Sequence, residues 1–271
     1  MSLPSRIPSP LAAKVPEITA LFWVIKLVTT FMGEATSDFL GDGNVAVGGA
    51  VELVLVLAAL WFQFRTRRYV AAAYWFLAMA IAVFGTGASD TLHIVLGIPY
   101  GGTTALWAVI LAAVFWQWNR SEGTLSIHSV TTTRREIYYW STVFATFALG
   151  TALGDFTASV LDLGFLASGL IFTGLILLPA IAWWRFGLNP IAAFWAAYVV
   201  TRPLGASFAD YFSKPHALTG ANCGDGPTSA VSAVVLLVLV TYISATRKDI
   251  QRTGPERPSL NEPKPEADLV S

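Results

Sequence analysis

The chain has 271 residues, 55% of them hydrophobic and only 13% charged, with 17 Lys plus Arg balancing 17 Asp plus Glu. That charged content is about half the roughly 25% of ordinary soluble domains and excludes a water-soluble globular class, while zero net charge excludes the basic field that would attract nucleic acid. The lone cysteine, Cys223, excludes an intramolecular disulfide and a cysteine-based metal cluster.

Residues 1 to 15 hold three prolines and no periodicity, and read as a mobile tail. From there the chain alternates apolar runs of about 18 residues or more, each long enough to cross about 30 Å of hydrocarbon, with short polar turns. Helices are expected over about 17–40, 47–64, 70–93, a fourth ending near Asn119-Arg120, 136–160, 164–185, 190–212 and 228–246. The first run carries Lys26, Glu34 and Asp38 and lacks a small-residue cleavage site, so it reads as a span and not a signal peptide. Gly41-Asp42-Gly43-Asn44 and Gly97 to Gly102 are turn clusters, and the longest outer loop is Lys214 to Pro227. The expected division is the tail, an eight-helix membrane domain over 16–248, and a disordered cytoplasmic tail over 249–271 rich in Pro, Glu, Arg and Ser.

Charge placement sets the expected orientation. With both termini inside, Arg65, Arg67, Arg68, Arg120, Arg134, Arg135 and Arg185 all fall in inner loops, and Lys214 is alone in an outer one. The positive-inside rule then places both termini of a multi-pass membrane protein in the cytoplasm.

The chain repeats itself. Trp23, Gly33 and Asp38 share their spacing with Trp75, Gly85 and Asp90, with Trp140, Gly150 and Asp155, and with Trp195, Gly205 and Asp210. Each copy is Trp, nine residues, Gly, four residues, Asp, followed by a loop and a second apolar run. The units cover about 17–68, 69–120, 134–186 and 189–247. Two spans per unit make the repeats parallel, related by an axis along the membrane normal. The predicted fold is therefore all-α, with eight transmembrane helices as four parallel two-helix repeats around a polar axis.

At 100° per residue, the positions three, seven, ten, eleven, fourteen and fifteen after each Trp share one helix face. They are Lys26, Thr30, Gly33, Glu34, Ser37 and Asp38 in the first copy, and Tyr198, Arg202, Gly205, Ala206, Ala209 and Asp210 in the last. The second and third copies add Thr86, Ser89 and Asp90, then Thr151, Gly154 and Asp155. His93 lies one turn beyond Asp90, and Glu52 on the second helix falls near the level of the aspartates. Four Asp, two Glu, a Lys and an Arg in a bilayer together cost on the order of 10–20 kcal/mol if unpaired, so the expectation is a polar cavity on the repeat axis.

Blander roles stand beside these. The four Trp suit the inner aromatic belt, and the four Gly suit close helix packing. Lys26 and Arg202 suit charge pairing with the acids or gating, and His93 suits either a local hydrogen bond or proton transfer. Glu17 and Glu136 suit helix N-termini. Capping is a weaker account of the aspartates, because carboxylates at helix C-termini oppose the dipole. No phosphate loop, zinc-protease helix, nucleophile elbow or haem-type histidine pair occurs, so no enzymatic activity and no cofactor are expected.

The segment from Lys14 to Lys26, with Gly33-Glu34-Ala35-Thr36-Ser37-Asp38 after it, resembles the start of a family of bacterial "membrane-anchored" proteins. That family is built from four tandem two-helix repeats of unknown function, each with a characteristic tryptophan. The resemblance covers about residues 14 to 248, maps those tryptophans to Trp23, Trp75, Trp140 and Trp195, and implies architecture and inner-membrane location, not activity. The residues themselves point to a transporter of a cation, with a divalent metal among the candidates. Asp38, Asp90, Asp155, Asp210, Glu34 and Glu52 would supply oxygen ligands, with Thr30, Thr86, Thr151 and Ser37 as neutral ones. The alternatives are a transporter or binder of a small organic or zwitterionic solute held by Arg202 or Lys26, and a non-transporting scaffold or sensor. The expected partners are the lipid bilayer and the small cation or solute, and a homo-oligomer is compatible with this reading.

Overall fold

A computed structural model describes residues 13–250. Eight long helices follow one another: α1 (Ala20–Gly43), α2 (Val45–Arg65), α3 (Ala71–Asp90), α4 (Tyr100–Glu122), α5 (Thr133–Asp155), α6 (Gly164–Phe186), α7 (Pro190–Ser213) and α8 (Asp225–Thr246). No strand occurs among the described residues. Local chemistry sets the boundaries. The Asn44 and Asn189 side chains accept from the first amides of α2 and α7, and Gly123 and Gly187 take the left-handed conformation that ends α4 and α6. Directly after Asp90 and directly after Asp155 the helix widens into one π turn, Thr91–Val95 and Phe156–Val160. These π turns occupy equivalent places in the second and third repeats, and such turns frequently mark functional positions.

The odd-numbered helices form an inner ring. α1 packs on α3, α3 on α5, α5 on α7 and α7 back on α1. One contact recurs at all four interfaces. A methyl group added at Gly33 would strike Ala82, at Gly85 the Cβ of Phe147, at Gly150 the side chain of Arg202, and at Gly205 that of Thr30. Each partner stands seven residues after the tryptophan of the next repeat. Glycine is thus used where a neighbouring helix comes too close for any side chain.

The even helices lie outside. About a fifth (22%) of the apolar stretch of each of α2, α4, α6 and α8 is buried, against 67% for the α3 segment and 61% for the α5 segment. Their principal neighbours are the following odd helices: α2 on α3, α4 on α5, α6 on α7, and α8 on α1. The packing unit is therefore offset by one helix from the sequence unit, and α8 closes the ring onto α1. Outward residues such as Val54, Trp61, Val109, Leu177, Trp184 and Leu237 are exposed.

Six helical segments, α2, α3, α4, α5, α6 and α8 with their π turns, are long and apolar enough to cross a membrane. α1 and α7 are as long, 24 residues each, but carry Lys26, Glu34 and Asp38, and Arg202 and Asp210. So large an apolar exterior fits lipid and not water. These are the features of a multi-pass membrane protein.

The chain ends differ from the tails expected at 1–15 and 249–271, most of which lie outside the described residues. Lys14 is buried, and its Nζ meets Glu136 Oε2 at 2.7 Å while its amide donates to the Val130 carbonyl. Gln63 Nε2 donates to the other Glu136 oxygen at 2.9 Å. Glu136 stands in the first turn of α5, as expected, and is at the same time a buried ion-pair partner. At the other end Asp249 is buried, accepting from the Tyr69 hydroxyl through its side chain and from the Glu17 amide through its carbonyl.

Candidate functional site

The polar face of the inner helices meets on the ring's interior, and its chemistry changes from one end to the other. At the tryptophan end it is aromatic. Trp75, Trp140 and Trp195 are buried and Trp23 is partly buried. They pack against Phe22, Tyr74, Tyr139, Phe194 and Tyr198, and the Tyr74 and Tyr139 hydroxyls are hydrogen-bonded to each other. The aromatic-belt expectation for the tryptophans is therefore corrected. They fill the interior because their spacing puts them on the same face as the polar residues.

Lys26 follows. It is buried and pairs with no acid. Its Nζ finds no hydrogen-bond acceptor and lies 3.8 Å from the centre of the Phe147 ring and 4.2 Å from that of Tyr198. Two aromatic faces substitute for a carboxylate here.

Beyond Lys26 sits the hub of the bundle, Arg202. Each of its three nitrogens is engaged. Nη2 meets Glu34 Oε2 at 2.6 Å and donates to Thr151 Oγ1 at 2.8 Å and to Thr86 Oγ1. Nη1 donates to the Thr30 carbonyl at 3.0 Å and Nε to the Phe147 carbonyl at 3.3 Å. One side chain on α7 thus ties down α1, α3 and α5. Thr86 and Thr151 also donate to Glu34, at 3.1 and 3.0 Å. Glu34, Thr86 and Thr151 all stand eleven residues after their tryptophans. The fourth such position is Ala206, which leaves room for Arg202 to reach across from one turn earlier.

At the aspartate end the interior is acidic. Carboxylate oxygens of Glu34, Asp38 and Asp210 lie within 4.8 Å of one another. Asp210 is 97% buried, and no side-chain hydrogen bond or ion pair is made by its carboxylate among the described residues. Asp90 and Asp155 are half-buried and within electrostatic reach of Glu34 and Asp38. Glu52 accepts from Ser37 Oγ at 2.6 Å and lies where a Cβ on Gly87 would be. A cavity of about 650 Å³ opens on this region, lined by Ser37, Asp38, Glu52, Asp90 and Lys214 among others. His93 lies apart from it. Its Nδ1 donates to the Ile98 carbonyl at 2.8 Å and its ring stacks on Tyr100.

Lys214 is the residue that the repeat pattern does not find. It follows α7, and its Nζ lies 2.7 Å from Asp38 Oδ2 and 3.1 Å from Asp225 Oδ1. Burial by itself lowers its proton affinity, but the carboxylates of Asp38, Asp210 and Asp225 outweigh that and hold the ammonium well above the usual lysine range. The sequence signal for it is its isolation as a cation in the loops at the aspartate ends of the repeats.

The class defined here is a multi-pass helical membrane protein with an acidic chamber at one end of a fourfold pseudo-repeat. The family described as Repeat of Unknown Function (DUF347) matches residues 21–69, 73–124, 138–188 and 193–249, and the chain belongs to it. No curated protein and no solved structure shows significant similarity to the chain.

Proposed function

We propose that the protein is an inner-membrane transporter of a cation, most suitably a hard divalent metal, with eight spans arranged as four parallel repeats around a polar axis and both termini cytoplasmic. The observation that carries this is Asp210. Asp210 is 97% buried, has no side-chain hydrogen-bond donor among the described residues and lies within 4.8 Å of two further carboxylates; it feels Lys214 only at a distance, and a cation would supply the closer counter-charge. The charge count points the same way. Among the described residues the six acids Glu34, Asp38, Glu52, Asp90, Asp155 and Asp210 have only Arg202 and Lys214 beside them, and Lys214 is shared with Asp225, an excess of at least four acids that protons or a bound cation would neutralise. Hard cations take six to eight oxygen ligands when they are calcium-like and six when they are magnesium-like, which this set of carboxylates and hydroxyls can supply in part. The parallel arrangement is supported by the glycine contact, which repeats in one register at four interfaces.

The organic-solute reading draws less support, because Arg202 has no nitrogen left for a substrate anion and Lys26 is boxed by rings. The test is thermal stability of the detergent-solubilised protein with Mn²⁺, Ca²⁺, Mg²⁺ and Na⁺. A ligand present at 100 times its Kd stabilises by about 2.7 kcal/mol. That shift should disappear in Asp210→Asn, whose ligand-free stability should hold or rise, since no donor is lost and one like charge is removed. A ligand-free protein that unfolds on this substitution, with no cation effect in the wild type, would instead support a purely structural charge network.

A further inference from the structure

Two cations neutralise part of the acidic chamber, and they are not alike. Arg202 is fully buried and held by five acceptors on three helices. Lys214 is held only through Nζ, by Asp38 on one side and Asp225 on the other, and its side chain is 23% exposed. Its backbone is fixed. The Lys214 amide donates to the Asp210 carbonyl and its carbonyl accepts from Asn222. The returning loop is stitched to the end of α7 by the amides of Ala221, Cys223 and Gly224, which donate to the carbonyls of Tyr211, Phe212 and Ser213. The Cα is therefore anchored while the four-carbon stem carries the ammonium. Lys214 also lines the cavity, together with Asp38, Glu52 and Asp90.

We infer that Lys214 is a tethered counter-cation: it occupies the mouth of the acidic chamber on Asp38, and a divalent cation reaches Glu34, Asp38 and Asp210 by displacing the ammonium toward Asp225. This rests on the cation reading above and assigns the residue that sets access and affinity. The geometry gives the displaced group a place to go. Asp225 stands in the first turn of α8, does not line the cavity and already holds Lys214 at 3.1 Å, so the swing breaks one ion pair and keeps the other. No covalent step is involved, and the net exchange is one bound ammonium for one bound metal ion at Asp38. Apparent affinity is then reduced by the fraction of molecules in which Lys214 occupies Asp38.

The experiment is calorimetric titration of the full chain in detergent with MnCl₂, repeated for Lys214→Gln, Lys214→Arg and Asp225→Asn. Lys214→Gln should tighten Mn²⁺ binding by about tenfold or more, the scale of one close charge pair. Lys214→Arg should bind no tighter than wild type, because the competing charge is kept. Asp225→Asn removes only the outer holding point, drives Lys214 onto Asp38 and should weaken Mn²⁺ binding. If the wild type binds Mn²⁺ and Lys214→Gln binds equally or more weakly, Lys214 is a structural clip and the inference is overturned while the cation site stands. If neither wild type nor Lys214→Gln binds Mn²⁺, Ca²⁺ or Mg²⁺, both readings fall. Should Lys214→Gln fail to fold, Asp225→Asn decides alone: unchanged or tighter binding there overturns the inference.

Discussion

The two ends of the inner ring solve the same problem in opposite ways. At the tryptophan end every buried charge has company. Lys14 has Glu136 and Gln63, Asp249 has Tyr69, and Lys26 has two ring faces. At the aspartate end acids outnumber cations, Asp210 has no side-chain donor among the described residues, and a cavity of about 650 Å³ opens beside Asp38, Glu52 and Asp90. The difference teaches where to look for function. Burying a charge is costly at either end, and only one end leaves that cost unrelieved by the protein itself. Arg202 and Glu34 form the boundary between them.

That boundary is the most direct place to break the contrast. Arg202→Met removes a guanidinium that satisfies five acceptors and leaves Glu34 buried beside Thr86 and Thr151 alone. The expected loss is about 3–5 kcal/mol of unfolding free energy, with Arg202→Met/Glu34→Gln recovering much of it. A single variant as stable as the wild type in a denaturation series would show that the pair does not organise the ring. The next largest effect concerns the repeated close contact. Gly205→Ala must push Thr30 aside and should cost about 1–3 kcal/mol. Gly49→Ala on the outer helix α2, where a Cβ meets open space, should be neutral or stabilising by about 0.5–1 kcal/mol. Equal melting temperatures for these two variants would contradict the ring packing. A small effect is also expected at Lys26. Because no carboxylate depends on it, Lys26→Met should change stability by less than about 1.5 kcal/mol. A loss as large as that of Arg202→Met would mean that the tryptophan end is not satisfied as the rings suggest.

Much of the fold was legible before any coordinates. The eight helices fall within a few residues of their expected bounds, and α6 and α7 begin at Gly164 and Pro190, the starts expected for them. The shared face was legible too, since Lys26, Glu34, Thr86, Thr151, Arg202 and Asp210 are all buried. The positions of the tryptophans and the chain ends were not. Periodicity gives the face a residue occupies but not what covers it, so buried tryptophans and lipid-facing ones share one spacing. Lys14 and Asp249 looked like tail residues because their partners, Glu136 and Tyr69, lie more than a hundred residues away.

What the chain determined by itself is local and periodic: helix lengths set by apolar runs, ends set by Asn, Pro and Gly, and one polar face recurring in four copies. Those follow from backbone sterics and a 3.6-residue turn, which need no knowledge of neighbours. Only the tertiary structure decided that each even helix packs on the next unit, that α8 closes onto α1, and that Arg202 and not Lys26 takes Glu34. It alone brought Lys214, from a loop outside the repeat pattern, onto Asp38. These are choices among partners of similar chemistry. They are settled by distance in the folded ring, which spacing along the chain does not encode.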